Sequence, residues 1–448
     1  MGVCQTIGGA ATSGRGLTGR QVAGALAAAA AAQLKSHHDR MKAEEDGEAT
    51  GIARRTISSV NQSLEQMDKG KYSETRVLRF KVPNSGGIME EVVVYEYAPD
   101  VFRFLRQLAG VDEEVFADEW TLPEERLGLE MGEGRSMALF LKSKSMYLMC
   151  KTIAKVEVDI LLGFLRQYTE HLARNDDTLL MRFSMLLRVE VGSEVGYILC
   201  FDDVFGPCRT LNEKWDLKGR KPKPGKYLLF PKLIRHPYEP NPYIIDTPRE
   251  TLELPEFLDA LGGGVVLVEA EDKDKLQTRK DKDLTRLFWL EKQTREKLLH
   301  VLIRDYDFLA SAGLMDYSLL IGVAYNETKV SRSGKHIRSM RMTYPMGSES
   351  DADRMEVRPN SSLRRASKSL VFAEGISSLY DQEIYYIGII DMLTTYTWKK
   401  KTANFCKSFL WKSDTLSTIP PKAYRDRIVR YTKIIFPEVN LDDNTSNT

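Results

Sequence analysis

Two aspartates in the second half of the chain sit where a carboxylate is costly. Asp391 closes the apolar run Tyr385 to Ile390, in Gly388-Ile389-Ile390-Asp391-Met392-Leu393-Thr394. Asp316 lies in Met315-Asp316-Tyr317-Ser318-Leu319-Leu320-Ile321-Gly322. A carboxylate at a buried strand end loses hydration unless it is paired or bound to a metal. Lys151 ends the run Tyr147-Leu148-Met149-Cys150, and Lys218 stands beside a glycine in Asp216-Leu217-Lys218-Gly219. Gly132-Glu133-Gly134-Arg135-Ser136 allows close backbone approach to an anion. Phosphoryl transfer needs such a set: a phosphate cradle, lysines on the phosphates, a carboxylate for the hydroxyl and a carboxylate for Mg²⁺. Each part has another reading. The glycines can form an ordinary turn, Lys151 can snorkel, and both aspartates can be caps or turn formers.

These groups need rigid elements to hold them. Leu78, Phe80 and Val82 alternate with Arg79 and Lys81, Asn84-Ser85-Gly86-Gly87 supplies a turn, and residues 90–97 hold the β-branched run Val92-Val93-Val94. The pattern predicts a hairpin over 74–97. Helical spacing covers 100–109, and a second hairpin is expected over 138–151. A helix follows, striped by Leu161, Leu165, Tyr168 and Leu172, with Glu157 near its start within reach of Lys151. Strands are expected at 185–191, 195–201 and 385–390. A helix is expected over 284–312, where Leu287, Leu290, Leu298, Leu299, Leu302 and Ile303 recur. Residues 219–283 read as a surface insertion and 327–370 as a polar, basic loop. The first half, β-rich with one prominent helix, predicts an antiparallel sheet with a helix packed on it.

Composition narrows the class. Of 448 residues 42% are hydrophobic and 28% charged, which excludes a fully disordered or collagen-like chain. Lys+Arg 64 against Asp+Glu 63 leaves +1, so no global charge asks for nucleic acid. Five scattered cysteines without a CxxC pair argue against a disulfide framework or structural zinc and point to the cytosol. The opening Met1-Gly2-Val3-Cys4-Gln5-Thr6 fits the pattern for acylation of Gly2, with Cys4 placed for a second chain. The alternative is an accidental match. Arg15, Arg20, Lys35, Arg40 and Lys42 favour an anionic leaflet, and order is expected to start near residue 60.

The motifs MDYSLLIG, DLKG and GIIDMLT, with PPKAYRDR near the end, resemble the phosphatidylinositol phosphate kinase family over residues 75–436. The resemblance implies an α+β fold of two lobes distantly related to protein kinases, with an antiparallel sheet and packed helices in each lobe and ATP bound between them. Its domains would be a 1–60 arm, disordered and acylated, an ATP-binding lobe over 61–210, and a catalytic lobe over 211–436. Insertions would fall at about 220–280 and 327–370, with a tail over 437–448. Carried over by position, Lys151 and Lys218 contact ATP phosphates, Asp316 is the catalytic aspartate and Asp391 binds Mg²⁺. The phosphate loop would comprise Gly132, Gly134, Arg135 and Ser136. Met137 stands where the family has a glycine, and Arg220 where it has serine. The family's basic residue for the lipid phosphate falls near Pro224, between Lys223 and Lys226.

Residues 392–413 hold five lysines and no acid, interleaved with Trp398, Phe405, Phe409, Leu410 and Trp411. Lysines meet anionic headgroups while aromatics enter the interface. The alternative is a basic loop whose aromatics pack in a core. In the family this is the specificity loop, which here contains Trp398, Lys399, Lys400, Lys401, Ala403 and Lys407. Ala403 matches the enzymes that act at the 4-position of the 5-phosphate, whereas Tyr396-Thr397-Trp398 resembles the branch acting on the 3-phosphate. The expected activity is phosphorylation of phosphatidylinositol 4-phosphate at the 5-position, with ATP and Mg²⁺, on the cytoplasmic face of a membrane, the plasma membrane first. The competing expectation, raised by Met137, is a catalytically weak scaffold on phosphoinositide membranes.

Overall fold

The computed structural model describes residues 17–46, 64, 67, 69–83, 87–132, 138–206, 208, 210–220, 276–284, 286–325, 375–379, 381, 383–396 and 419–438. These form two compact units, the first reaching residue 206 and the second taking 177–180 and everything from 208 onward. Among the described residues no helix is long and apolar enough to cross a membrane.

The first unit is built on a seven-stranded antiparallel sheet. Its strands are β1 (Thr75–Pro83), β2 (Met89–Tyr97), β3 (Glu130–Met131), β4 (Leu139–Lys142), β5 (Leu148–Ile153), β6 (Phe183–Val191) and β7 (Glu194–Asp202). They lie in the order β1-β2-β6-β7-β5-β4-β3. The hairpins expected from alternation are present, β1–β2 pairing Thr75 with Tyr97 and Pro83 with Met89. Helices α2 (Pro99–Leu108), α3 (Glu113–Glu119) and α4 (Lys155–Arg174) complete the unit together with α1 (Gly19–Asp46).

Helix α1 corrects the expectation of a disordered arm over residues 1–60. Leu17, Val22, Ala25, Leu26, Ala29 and Ala30 are buried in one core with Val92, Val94, Leu187, Val189 and Ile198 of the sheet. Alanine is the best helix former, and its small side chain lets the helix backbone lie close to strands. At Gly24 an added Cβ would stand only 3.2 Å from the Phe80 ring. Polar ties fix the helix along its length. Gln33 donates to the Glu96 carboxylate and to the Pro99 carbonyl, while Arg76 donates to Glu96 at 2.9 Å and to the Ala32 carbonyl at 3.1 Å. Burial pushes the Glu96 carboxyl up, with Arg76 and Gln33 opposing.

The second unit carries a five-stranded sheet in the order β11-β12-β10-β8-β9. Its strands are β8 (Glu213–Leu217), β9 (Thr278–Lys280), β10 (Ser318–Tyr325), β11 (Ile376–Ser377) and β12 (Glu383–Ile390). All pairs are antiparallel except β8 with β9. Trp215, Leu217, Leu319, Ile321, Val323, Tyr385, Ile387 and Ile389 alternate along the three central strands and are all buried. Helices α5 (Lys292–Ser311) and α6 (Pro421–Ile435) bring Leu298, Leu302, Tyr306, Tyr424 and Ile428 into the core. Asp305 of α5 accepts from Thr178 Oγ1 at 2.9 Å and Leu179 N at 2.8 Å, which ties residues 177–180 to this unit.

Two expectations change here. The helix expected over 284–312 begins at Lys292. Residues 286–290 are nonhelical and buried in succession, Phe288 N donating to the Ile435 carbonyl and the Trp289 carbonyl accepting from Leu379 N. A helix could not bury five consecutive residues on one face. Residues 278–283, read as the end of a surface insertion, return to the sheet as β9 and a buried Asp281. Residues 221–275 of that insertion, the 327–370 loop and the 437–448 tail lie outside the described residues, apart from Pro437 and Glu438.

Candidate active site

Three strands of the second sheet end side by side. In the antiparallel register Ser318 pairs with Ile390 and Leu319 with Leu217. Lys218 follows β8, Asp316 precedes β10 by two residues, and Asp391 follows β12 directly, so all three emerge at one end of the sheet. Each strand end turns through a left-handed backbone position: Gly219 at φ 65°, Asp316 at 61° and Asp391 at 59°. Glycine takes this region freely, and aspartate tolerates it better than most residues. The turns break the β alternation and move the polar side chains out of the register that would bury them.

The loops also hold one another. Met315 N donates to the Thr394 carbonyl at 2.9 Å, and Leu314 bridges to Thr395. The segments after β12 and before β10 are therefore joined beyond the sheet. Tyr424 of α6 donates its hydroxyl to the Tyr317 carbonyl, and its ring lies edge-on to Tyr317 at 4.7 Å. Tyr306 stacks on the same ring at 5.8 Å. Burial pushes the Tyr306 hydroxyl well above its usual value, and that of Tyr424 likewise, so both stay protonated.

The Lys218 ammonium donates to the Asp316 carbonyl at 2.5 Å and stands 3.3 Å from its carboxylate Oδ1. That Oδ1 is shielded from solvent and accepts no hydrogen bond among the described residues. Asp316 is partly exposed and Asp391 exposed. Lys218 is anchored in turn through its backbone. Its N–H and that of Gly219 both donate to Asp281 Oδ1, at 2.9 and 2.8 Å, and its carbonyl accepts from Arg427 Nη2 at 3.3 Å.

Lys151 belongs to the first unit. It lies on β5 between Phe140 of β4 and Leu199 of β7 and is 8% exposed, so it is no surface lysine. Glu157 accepts from Ala154 N at 2.8 Å and caps α4. Gly132 closes the β3–β4 hairpin, its N–H donating to the Ala138 carbonyl, and a Cβ there would strike the Phe140 ring at 2.5 Å. Gly134, Arg135 and Ser136 lie outside the described residues, as do Gly2, Cys4, Trp398, Lys399, Lys400, Lys401, Ala403 and Lys407. Sequence reading did not single out Asp281 or Arg427. Asp281 sits in Lys280-Asp281-Lys282-Asp283, which reads as a solvated charge run, and only the pairing of β9 with β8 turns it inward.

Among the described residues no group of three or more metal-binding side chains is gathered. Mg²⁺ bound with substrate phosphates keeps several waters and needs only one or two protein carboxylates. The partly exposed Asp316 and the exposed Asp391 at the same sheet end fit that requirement.

A basic side chain against one carboxylate, with a second carboxylate on the neighbouring strand end, is a set of groups that phosphoryl transfer can use. The chain matches the family described as phosphatidylinositol-4-phosphate 5-kinase over residues 124–435. It therefore belongs to the phosphatidylinositol phosphate kinases, lipid phosphotransferases that use ATP. It is 25% identical to the phosphatidylinositol 5-phosphate 4-kinase type-2 gamma of Xenopus tropicalis, over 76% of this chain and 75% of that one. It is 26% identical to the human type-2 alpha enzyme, over 75% and 76%. Its identity to phosphatidylinositol 4-phosphate 5-kinase 9 of Arabidopsis thaliana is 24%, over 77% of this chain and 44% of that one.

Proposed function

We propose that this protein transfers the γ-phosphoryl group of ATP to a hydroxyl of a phosphatidylinositol monophosphate, giving a bisphosphate. The observation that carries the reading is the convergence of Lys218, Asp316 and Asp391 at one end of one sheet. The Asp316 carboxyl is turned to Lys218 through the shielded Oδ1 while the side chain stays partly exposed, which suits it to accept or orient the inositol hydroxyl. Lys218, 3.3 Å away, is placed to meet phosphate oxygens as well. Asp391 would hold Mg²⁺ with the phosphates, and the ion supplies charge neutralisation when bound. Lys151, Gly132, Gly134, Arg135 and Ser136 are proposed as further phosphate contacts.

The proposed substrate is phosphatidylinositol 4-phosphate and the proposed position the 5-hydroxyl, as the description of the matching family suggests. A second reading, the 4-hydroxyl of the 5-phosphate, is favoured by Ala403 and by the names of the type-2 relatives. The protein would act as a peripheral enzyme on the cytoplasmic face of a membrane, held by acylated Gly2 and Cys4 and by the 392–413 loop. One assay separates these readings: ATP-dependent phosphate transfer to each of the three monophosphates, with the product isomer identified. Transfer to the 4-phosphate supports the first reading, transfer to the 5-phosphate the second. Binding without turnover on any of them returns the scaffold.

A further inference from the structure

We propose that Asp281 is a positioning residue, which sets Lys218 against Asp316 by gripping the backbone of the β8 turn. The inference rests on the reading of Lys218 and Asp316 given above. Asp281 is 5% exposed and lies 62 residues beyond Gly219 in sequence. It arrives through β9, where Asp216 pairs with Lys280, so the next residue stands over the turn that follows β8. One oxygen, Oδ1, accepts from both Lys218 N and Gly219 N. Two successive amides aimed at one carboxylate oxygen hold the turn in a single conformation, with Gly219 at φ 65°.

The other side of the same peptide is held too. Arg427 of α6 donates to the Lys218 carbonyl at 3.3 Å. Arg220 Nε stands 3.8 Å from Asp281 Oδ2, so the buried carboxylate has a cation beside its second oxygen. Lys218 is thus fixed at its N–H by the residue that follows β9 and at its carbonyl by α6, while its side chain reaches forward. The reach ends on Asp316, through both the carbonyl and the carboxylate. Asp281 touches none of the reacting groups. Its effect on transfer would run entirely through where the Lys218 ammonium stands, and misplacement by about 1 Å can cost on the order of 10²-fold in rate.

The test uses the full-length protein, single-turnover rates, and micelles containing phosphatidylinositol 4-phosphate or 5-phosphate. Asp281→Asn keeps an oxygen for both amides. Asp281→Glu keeps the charge but moves the oxygen by one methylene. The rate is expected to fall about tenfold or more in Asp281→Glu and Asp281→Ala, and no more than about threefold in Asp281→Asn. In a Lys218→Ala background, Asp281→Ala should bring no further fall. Should the alanine variant not fold, the Glu and Asn variants carry the comparison. Independent, multiplying losses at the two positions would overturn the inference, as would an Asn variant as slow as the Glu variant. If Lys218→Ala is slow while Asp281→Glu keeps its full rate, positioning by Asp281 fails alone. If Lys218→Ala keeps its full rate, the reading of the site fails and the inference with it.

Discussion

At the scale of single residues, Asp316 and Asp391 both occupy left-handed backbone, which costs about 1 kcal/mol each relative to ordinary conformations. Both lie beside buried strands, and two such turns at adjacent strand ends are the strongest local sign of a working site. Asp316→Asn and Asp391→Asn each conserve shape while removing charge. Each is expected to lower phosphate transfer by on the order of 10²-fold or more with the thermal melt unchanged. Near-normal turnover in either would remove that residue from the chemistry. Gly219 is constrained differently. At φ 65°, with a Cβ coming 3.1 Å from Tyr431 Cβ, Gly219→Ala is expected to cost about 1–2 kcal/mol of stability and to slow transfer by displacing Lys218. An alanine variant with unchanged denaturation midpoint would show that the turn has another conformation open to it.

At the scale of elements, α1 and the end of β7 make separate predictions. Leu26 is fully buried where α1 packs on the sheet. Leu26→Ala is expected to destabilise the first unit by about 2–4 kcal/mol, read by chemical denaturation. No change would mean that the helix leaves the sheet in solution. Burial pushes the Asp202 carboxyl up to about 6, with Asp203 adding to the rise and Arg182 opposing it. A folded carboxyl that holds its proton more tightly than the unfolded one stabilises below its unfolded value near 3.8. That stability is lost as pH rises through about 6. Asp202 retains some exposed surface, which screens the effect. Asp202→Asn should therefore flatten the decline in stability between these pH values, with a gain on the order of 1 kcal/mol at pH 7. A variant curve parallel to that of the parent protein would sink this account.

At the scale of the whole molecule, the open question is how a chain with a net charge of only +1 reaches an anionic lipid. Two segments are the candidates, the N-terminal residues and residues 392–413, both largely outside the described residues. A single acyl chain on Gly2 gives marginal, reversible binding, and each lysine of the 392–413 loop adds about 1 kcal/mol at an anionic surface. Linking the two raises the local concentration of one at the site of the other. Gly2→Ala is expected to move the protein to the soluble fraction and to spare activity on detergent-dispersed lipid. Replacing Lys399, Lys400 and Lys401 by alanine should lower activity in both formats. Unchanged partition of the Gly2 variant would leave the loop to hold the membrane by itself.

Much of the candidate site was legible from residue order. Lys218 has no apolar run before it, since β8 is Glu213-Lys214-Trp215-Asp216-Leu217. The run ending at Asp391 and the MDYS segment that opens β10 do place charged groups against apolar stretches, alternation located β1, and the strands expected at 185–191, 195–201 and 385–390 are β6, β7 and β12. Those signals are local, since a strand's pattern is written in the residues it spans. Asp281 and α1 were not legible. A Lys-Asp-Lys-Asp run looks solvated until a parallel strand pairs it against β8, and an alanine-rich segment looks featureless until a sheet face accepts it. Both depend on partners dozens of residues away, so tertiary pairing decides them where local hydropathy cannot. The sequence by itself determined most strands of the first unit, β12 and the charged residues of the site, and its motifs determined the class of chemistry through the family they resemble. The tertiary structure alone decided that Lys218, Asp316 and Asp391 emerge together, because antiparallel register brings distant strand ends to one edge of a sheet.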